Sequence, residues 1–279
     1  MDVYNLPKII WTYWNDKNIN SPLIKNIKSN NKKILKNWKI NFISDNDIKK
    51  YIPYNAYPPN FYTLKVQHRA DWIRLYLIIN YGGVWLDAGI QINSLYDFNN
   101  IYNKCNDNQL ELSGFYYNKM LKNKIKESYI ENWFIMGPKN SNLIKLWLKE
   151  FEYAILIGFN KYKELNYNGN EHIYDNFNTY LTQHVCIQTV LNKKINYIPK
   201  ISLLKAEDSM FKLNHDCNYN PLLIIYRYIY DEKVKKIPFI KLTGGERFVY
   251  DIVINSISFH IIIILVIIIL FFMTKIYNK

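Results

Sequence analysis

Asp71, Arg74 and Asp87 lie in a mostly apolar stretch of the sequence, residues 68–92. Asp71 and Arg74 are three positions apart, so on a helix they share one face and can pair. Asp87 follows the short apolar run 84–86, which puts its carboxylate at the end of a strand. A carboxylate is a ligand that Mg²⁺ or Mn²⁺ prefers, and the planar guanidinium of Arg74 suits bidentate contacts. The same residues also fit a structural ion pair and a loop cap.

The same stretch predicts the helix and the strand that position these side chains. Ala70, Ile73 and Leu77 recur at helical spacing, and most positions between them are apolar, so we expect a helix that is covered on several sides. The pair Gly82-Gly83 supplies the left-handed backbone that ends a helix, and a strand follows directly. Ionisable groups inside so apolar a helix need partners, because burying a lone charge is costly.

The residues R-A-D-x-x-R, an apolar run and Y-G-G-V-W-L-D-A closely resemble the core motif of the capsular polysaccharide synthesis protein family. These proteins are relatives of the family 32 glycosyltransferases and of the large clostridial glucosylating toxins. Weaker matches are the opening segment 6–11, the I-E-x-W-F-I segment 130–135 and the K-L-T element 241–243. The resemblance covers roughly residues 6–245 and is dense only over residues 68–90.

The resemblance implies an α/β, GT-A-like nucleotide-sugar-binding fold with a mixed, mostly parallel sheet flanked by helices. The alternation of strand-like and helix-like segments over residues 8–52 agrees with such a layered fold. The implied function is that of a hexosyl-type glycosyltransferase in polysaccharide biosynthesis. It would move a sugar from a nucleotide-sugar donor to a hydroxyl of a glycan, protein or lipid acceptor, with retention as in the toxin and family 32 relatives.

The resemblance also assigns roles to individual residues. Asp87 becomes the catalytic carboxylate and a metal ligand, and Asp71 and Arg74 grip sugar or ribose hydroxyls of the donor. Gly83 and Trp85 belong to the same donor site, in a DXD-like motif.

Three further residues keep two interpretations each. Trp11 either stacks on the donor base or is a core residue of the first strand. Trp133 either faces the acceptor sugar or is buried in the sheet. His184 is either a metal ligand or phosphate contact, or a core histidine with satisfied hydrogen bonds.

A divalent cation, Mn²⁺ or Mg²⁺, is the cofactor that the resemblance implies, because negative charge develops on the leaving diphosphate. Many relatives carry Asp-x-Asp at this point. Here the sequence is Asp87-Ala88-Gly89, so Gly89 replaces the second carboxylate. That departure also fits a catalytically inactive protein that binds sugar or nucleotide. A membrane-anchored scaffold with a purely structural motif is the third interpretation.

The composition excludes some other classes of function. The net charge is +13, but the lysines are dispersed and no aromatic-basic module of a nucleic-acid reader is present, so we expect no nucleic-acid partner. The three cysteines lack Cys-x-x-Cys spacing, which argues against a zinc site or a disulfide framework.

An apolar run at residues 257–273 is close to the length of ~17–25 residues that crosses a bilayer. We therefore expect a glycosyltransferase-like domain at residues 1–250, one C-terminal transmembrane helix at residues 257–273 and a short basic tail at residues 274–279. The N-terminus is too polar for a signal peptide. These features predict a tail-anchored, single-pass membrane protein with its N-terminal domain in the cytosol.

Overall fold

The computed structural model describes residues 6–16 and 19–255 of the chain. Its strands are β1 (Ile9–Tyr13), β2 (Lys39–Ile43), β3 (Gly83–Leu86), β4 (Ile90–Ile92), β5 (Leu112–Tyr116), β6 (Ile130–Gly137), β7 (Ile201–Lys205) and β8 (Phe239–Lys241). Its α-helices are α1 (Pro22–Ile34), α2 (Val66–Tyr81), α3 (Leu95–Asp107), α4 (Asn142–Ile157), α5 (Phe159–Asn166), α6 (Glu171–Phe177), α7 (Thr182–Thr189), α8 (Lys212–Asp216), α9 (Pro221–Tyr230) and α10 (Gly244–Asn255).

Six of the strands form one mixed sheet in the order β2-β1-β3-β6-β5-β7. The pairs β1–β2, β1–β3 and β5–β7 are parallel, whereas β6 runs antiparallel to both β3 and β5. Strands β4 and β8 make a separate antiparallel pair, in which Ile90 lies opposite Lys241. A mixed sheet flanked by helices fits the predicted GT-A-like α/β fold.

Helices cover both faces of the sheet, as the side chains of β3 show. Trp85 belongs to an apolar cluster with residues of α2, α4 and α7, whereas Val84 and Leu86 belong to a cluster with residues of α3. Successive side chains of a strand point to opposite faces, so β3 is buried on both sides. This explains why its sequence is a continuous apolar run.

Two glycines join α2 directly to β3. The backbone N–H of Gly82 donates to the carbonyl of Ile78 at 2.8 Å, and Gly82 and Gly83 have φ of +69° and +101°. A side chain at Gly83 would collide with the carbonyl oxygen of Ile9 in β1. Both glycines are therefore required for the tight turn that sets the end of β3 beside the middle of α2.

Serine side chains begin three of the helices that frame the sheet. Ser21, Ser94 and Ser141 each accept a hydrogen bond from the backbone N–H three residues later, at 3.3, 3.2 and 3.3 Å. Each bond satisfies one of the free N–H groups of a first helical turn.

The predicted transmembrane helix and the predicted tail-anchored localisation are both wrong for the part of the chain that the structure describes. The longest described helices, α2 and α4, have 16 residues each. They extend about 24 Å, whereas a bilayer core is about 30 Å thick. Across residues 6–16 and 19–255, none of the helices has both the length and the apolar composition to span a membrane. The predicted span, residues 257–273, and the tail at residues 274–279 lie outside the described residues.

Candidate functional site

Arg74 joins the two predicted carboxylates into one cluster. Its Nη1 lies 2.8 Å from Oδ1 of Asp71, and its Nη2 lies 3.2 Å from Oδ1 of Asp87. The guanidinium also lies 5.2 Å from the ring centre of Trp85. The side chains of Arg74 and Asp71 are 5% and 7% exposed, but that of Asp87 is 29% exposed. The cluster is therefore buried at Asp71 and open to solvent at Asp87.

The carboxylate of Asp87 is surrounded by donors. Trp85 donates its indole N–H to Oδ1 at 2.9 Å, and the ammonium of Lys241 lies 3.3 Å from Oδ2. Burial raises the pKa of Asp87, but the positive charges of Lys241 and Arg74 and the hydrogen bond from Trp85 outweigh it, so the pKa lies below its ordinary value. Asp87 is thus an anion held between two cations.

The stability of the protein should depend on pH through Asp87. Because its pKa is lower in the folded than in the unfolded state, its contribution is present above about pH 3.8 and is lost as the pH falls through the lower, folded-state value. We expect the free energy of unfolding, measured by urea denaturation, to fall less steeply below that pH in Asp87→Asn than in the wild type. Parallel pH profiles for the two proteins would contradict this prediction.

Gln183 in α7 and Asn132 in β6 complete the buried side of the cluster. The Gln183 side chain is buried, and it donates to the backbone carbonyl of Asp71 at 2.5 Å. Its Oε1 accepts from Arg74 at 3.0 Å and from Asn132 at 2.8 Å. Asn132 also donates to Oδ1 of Asp71 at 3.1 Å. The sequence analysis did not identify Gln183 or Asn132 as site residues. A weak signal was available for Gln183 alone, as a polar residue in a segment whose residues are all buried in the structure.

Tyr180 is an exposed tyrosine close enough to the cluster to be affected by its charges. It precedes Gln183 by three residues, about one helical turn, and its side chain is 56% exposed. Partial burial, followed by the negative charges of Asp71 and Asp87, raises the pKa of Tyr180. The sequence alone gave no reason to select this tyrosine among many.

Trp11 lies apart from this cluster, in the core. It is 2% exposed, and its indole N–H donates to the carbonyl of Gly82 at 2.9 Å. Its ring packs against Tyr51 and Tyr81, with ring centres 5.2 Å apart in both cases. This is the position of a core residue of the first strand, the second of its two interpretations. A role in base stacking stays a prediction.

Trp133 and His184 are both buried. Trp133 packs against Phe211, and its ring centre lies 5.3 Å from the ammonium of Lys241, so it forms the floor beneath that lysine. His184 stacks on Tyr129 at 5.0 Å, and its Nε2 lies 3.4 Å from Oε2 of Glu131. The described contacts of His184 are thus with its own neighbours rather than with Asp87.

The residues around Asp87 do not fit a divalent cation. Both of its carboxylate oxygens already face N–H donors, and two of these donors, Arg74 and Lys241, are positively charged. Hard cations need several oxygen ligands. Within the described residues, no three His, Cys, Asp or Glu side chains are grouped so that they could hold a metal ion. The roles of Asp87 and His184 as metal ligands stay a prediction, which the contacts of these two side chains do not support.

Two cavities show how much space adjoins Asp87. The cavity that Asp87 lines with Thr12, Lys28 and Asn31 measures about 10 Å³, roughly the space of one water. A cavity of about 640 Å³ lies elsewhere, between the segment around Glu127 and the end of α7, and Asp87 does not line it. Asp87 is therefore not part of the larger cavity, and its own cavity holds no more than about one water.

Two solved structures resemble the fold. One is a glycosyltransferase involved in the glycosylation of the major capsid of PBCV-1, with a TM-score of 0.46 and 11% identity, covering 87% of this chain and 96% of that chain. The other is the PaToxG glycosyltransferase, with a TM-score of 0.41 and 13% identity, covering 88% of this chain and 83% of that chain. Similarity at this level carries no argument about function.

Three fungal proteins are related in sequence. The O-glycosyltransferase braB of Annulohypoxylon truncatum is 25% identical over 52% of this chain and 37% of its own length. The glycosyltransferase afumC of Aspergillus fumigatus is 24% identical over 64% of this chain and 52% of its own length. The O-glycosyltransferase PaGT of Phomopsis amygdali is 27% identical over 52% of this chain and 38% of its own length. The chain spans only about a third to a half of the length of these relatives.

A family model for capsular polysaccharide synthesis proteins matches residues 2–229. The match covers most of the chain and includes Asp71, Arg74 and Asp87, the residues that the structure brings together. By this match, the chain belongs to the capsular polysaccharide synthesis protein family.

Proposed function

We propose that this protein is a hexosyl-type glycosyltransferase that moves a sugar from a nucleotide-sugar donor to a hydroxyl of a glycan, protein or lipid acceptor. The observation that carries the proposal is the bridge from Arg74 to both Asp71 and Asp87, with one carboxylate buried and the other open to solvent. The glycosyltransferases among the sequence relatives support the same reaction class.

The donor would lie along the edge where β1 and β3 end. Ligands of α/β sheets bind outside the carboxyl ends of parallel strands. Trp14 follows β1 directly, is half-buried and packs on the apolar cluster that includes Ala88. The guanidinium of Arg247 covers its ring at 4.9 Å. Trp14 is therefore better placed than Trp11 to contact the nucleotide base, with the diphosphate directed towards Asp87.

The chemistry follows from the charges in the cluster. As the bond between the anomeric carbon and the diphosphate oxygen breaks, the electron pair and its negative charge move to the diphosphate. Arg74 and Lys241 provide positive charge on that side, Asp87 accepts hydrogen bonds from donor hydroxyls, and the buried Asp71 holds Arg74 in place. With retention, the acceptor hydroxyl attacks on the face that the diphosphate leaves and can give its proton to a diphosphate oxygen. No separate general base is then needed.

The missing second carboxylate at Gly89 favours one other function, that of an inactive protein that binds sugar nucleotide without turnover. Both functions require a nucleotide site at Asp87, and they differ in whether the donor is cleaved. Release of free sugar from the donor by the purified protein separates them, because an inactive protein would bind the donor and release none.

A thermal-shift screen with UDP, GDP, ADP and CDP tests the shared requirement. We expect at least one of them to raise the melting temperature, since a ligand at 100 times its Kd stabilises the folded state by about 2.7 kcal/mol. The nucleotide sugars of the same base should then release free sugar. If none of the four nucleotides stabilises the protein and no donor is hydrolysed, the proposed function is wrong, and a scaffold with a structural motif is the better description.

A further inference from the structure

The position of the missing carboxylate is closed to any side chain. A Cβ built on Gly89 would collide with the carbonyl oxygen of Leu242. The two backbones are held together, because the N–H of Leu242 donates to the carbonyl of Gly89 at 2.8 Å. The next pair in register is Ile90 with Lys241, where β4 meets β8. Glycine at position 89 is therefore part of a packed backbone contact, and an aspartate cannot be accommodated there without displacing β8.

The segment that closes on Gly89 also delivers a cation to Asp87. Lys241 is the last residue of β8, its side chain is 13% exposed, and its ammonium lies 3.3 Å from Oδ2 of Asp87. The ring of Trp133 lies beneath the ammonium at 5.3 Å. Lys241 thus places a positive charge beside the one carboxylate that the motif retains.

We infer that Lys241 takes the place of the divalent cation, and that the protein binds the donor diphosphate and transfers the sugar without a metal ion. This inference rests on the proposed function and concerns only how the leaving group is neutralised. A metal ion on Asp87 would have to displace two cationic partners, Arg74 and Lys241, which it also repels. A diphosphate is negatively charged, so Arg74 and Lys241 attract it. It can share these two cations with Asp87 or replace Asp87 as their partner.

The proposed step needs no further reactant. The bond from the anomeric carbon to the diphosphate oxygen breaks, and the diphosphate keeps the electron pair. The acceptor oxygen forms the new bond to the anomeric carbon, and its proton passes to a diphosphate oxygen. Lys241 stays protonated throughout and contributes charge and hydrogen bonds. It lies beyond residues 2–229, the part of the chain that the family match covers.

The competing explanation is that Lys241 is only a structural counter-ion for Asp87. Both explanations allow Lys241→Met to lower the melting temperature. They differ in ligand binding, because a structural counter-ion predicts that the folded variant binds nucleotide as the wild type does. Binding must therefore be measured on the folded full chain, with metal present and with metal removed.

The experiment measures binding of UDP, GDP, ADP and CDP by calorimetry, in excess EDTA and in excess MnCl₂. We expect the Kd of the best of these ligands to be similar in both conditions. Lys241→Met should weaken binding in EDTA roughly tenfold or more, the effect of losing one charged hydrogen bond, and Lys241→Arg should retain most of the affinity. Lys235→Met is the matched control, because Lys235 is exposed and pairs with Glu232; it should bind as the wild type does.

The outcomes separate this inference from the proposed function. Binding that appears only with MnCl₂, or a Lys241→Met protein with wild-type affinity in EDTA, overturns the inference and leaves the proposed function standing. Binding in neither condition overturns both. Should Lys241→Met fail to fold, Lys241→Gln takes its place, with the same expected loss of affinity in EDTA.

Gly89→Asp provides an independent test, because it restores the Asp-x-Asp sequence. We expect Gly89→Asp and the steric control Gly89→Ala to lower the melting temperature alike, and neither to gain Mn²⁺-dependent binding. A Gly89→Asp protein with wild-type melting temperature and Mn²⁺-stimulated binding would show that the position accepts a metal ligand and would overturn the inference.

Discussion

Replacing Arg74 with methionine is expected to destabilise the protein by about 3–5 kcal/mol, because it leaves a buried carboxylate without its charged partner. Methionine preserves much of the alkyl packing but removes the contacts to Asp71 and Asp87 at 2.8 and 3.2 Å. Asp71, whose side chain is 7% exposed, would keep only the amide of Asn132 and the ring of His68 at 3.5 Å. Urea denaturation at neutral pH measures the loss, which is a large part of the ~5–15 kcal/mol typical of a domain.

Arg227→Met is the matched control for this prediction. Arg227 in α9 also pairs with an aspartate close by in the sequence, Asp231 at 3.1 Å, but its side chain is 28% exposed. Surface pairs of this kind contribute at most about 1 kcal/mol. Asp71→Asn in the Arg74→Met background should restore part of the lost stability, because no buried charge then remains unpaired. Equal losses for Arg74→Met and Arg227→Met would contradict a buried ion cluster.

The part of the site that the sequence predicted is the part that local rules determine. Residues 68–92 form a helix, a glycine turn and a strand, so the spacing of Asp71, Arg74 and Asp87 along the chain already fixes which of them can meet. The i,i+3 relation joins Asp71 to Arg74. The short connection through Gly82 and Gly83 returns the chain beside α2, which brings Asp87 to the other side of the guanidinium.

The remaining partners come from distant segments, which local patterns cannot place. Gln183 is 109 residues from Arg74, and Lys241 is 154 residues from Asp87. Which helix packs on which face of a sheet depends on the tertiary fold, so the K-L-T resemblance at residues 241–243 gave no contact to Asp87. The same limit applies to Trp11, where the motif fixed the strand but not the burial of its ring. The prediction of a membrane span at residues 257–273 also rested on a local pattern, namely the length of one apolar run.

Asp87→Asn is expected to reduce sugar release from the donor by on the order of 10²–10³-fold, while the affinity for a nucleoside diphosphate rises. The reduction follows because the variant loses the charged acceptor that orients the donor and the two cations around it. The affinity rises because Arg74 and Lys241 lose the anion between them, so their positive charge becomes available to the diphosphate. The two effects are measured on one protein, as the rate of free-sugar release and as a Kd.

A lower rate of sugar release together with a higher affinity for the nucleotide distinguishes a catalytic carboxylate from a structural one. A purely structural Asp87 would, when changed, lower the melting temperature, turnover and affinity together. In an inactive binding protein, wild type and variant would release equally little sugar, which would contradict the enzymatic proposal and leave only nucleotide binding. Asp231→Asn is the control, because Asp231 is a half-exposed surface aspartate paired with Arg227. It should change neither quantity, since Asp231 contacts neither Arg74 nor Lys241, the cations proposed to bind the diphosphate.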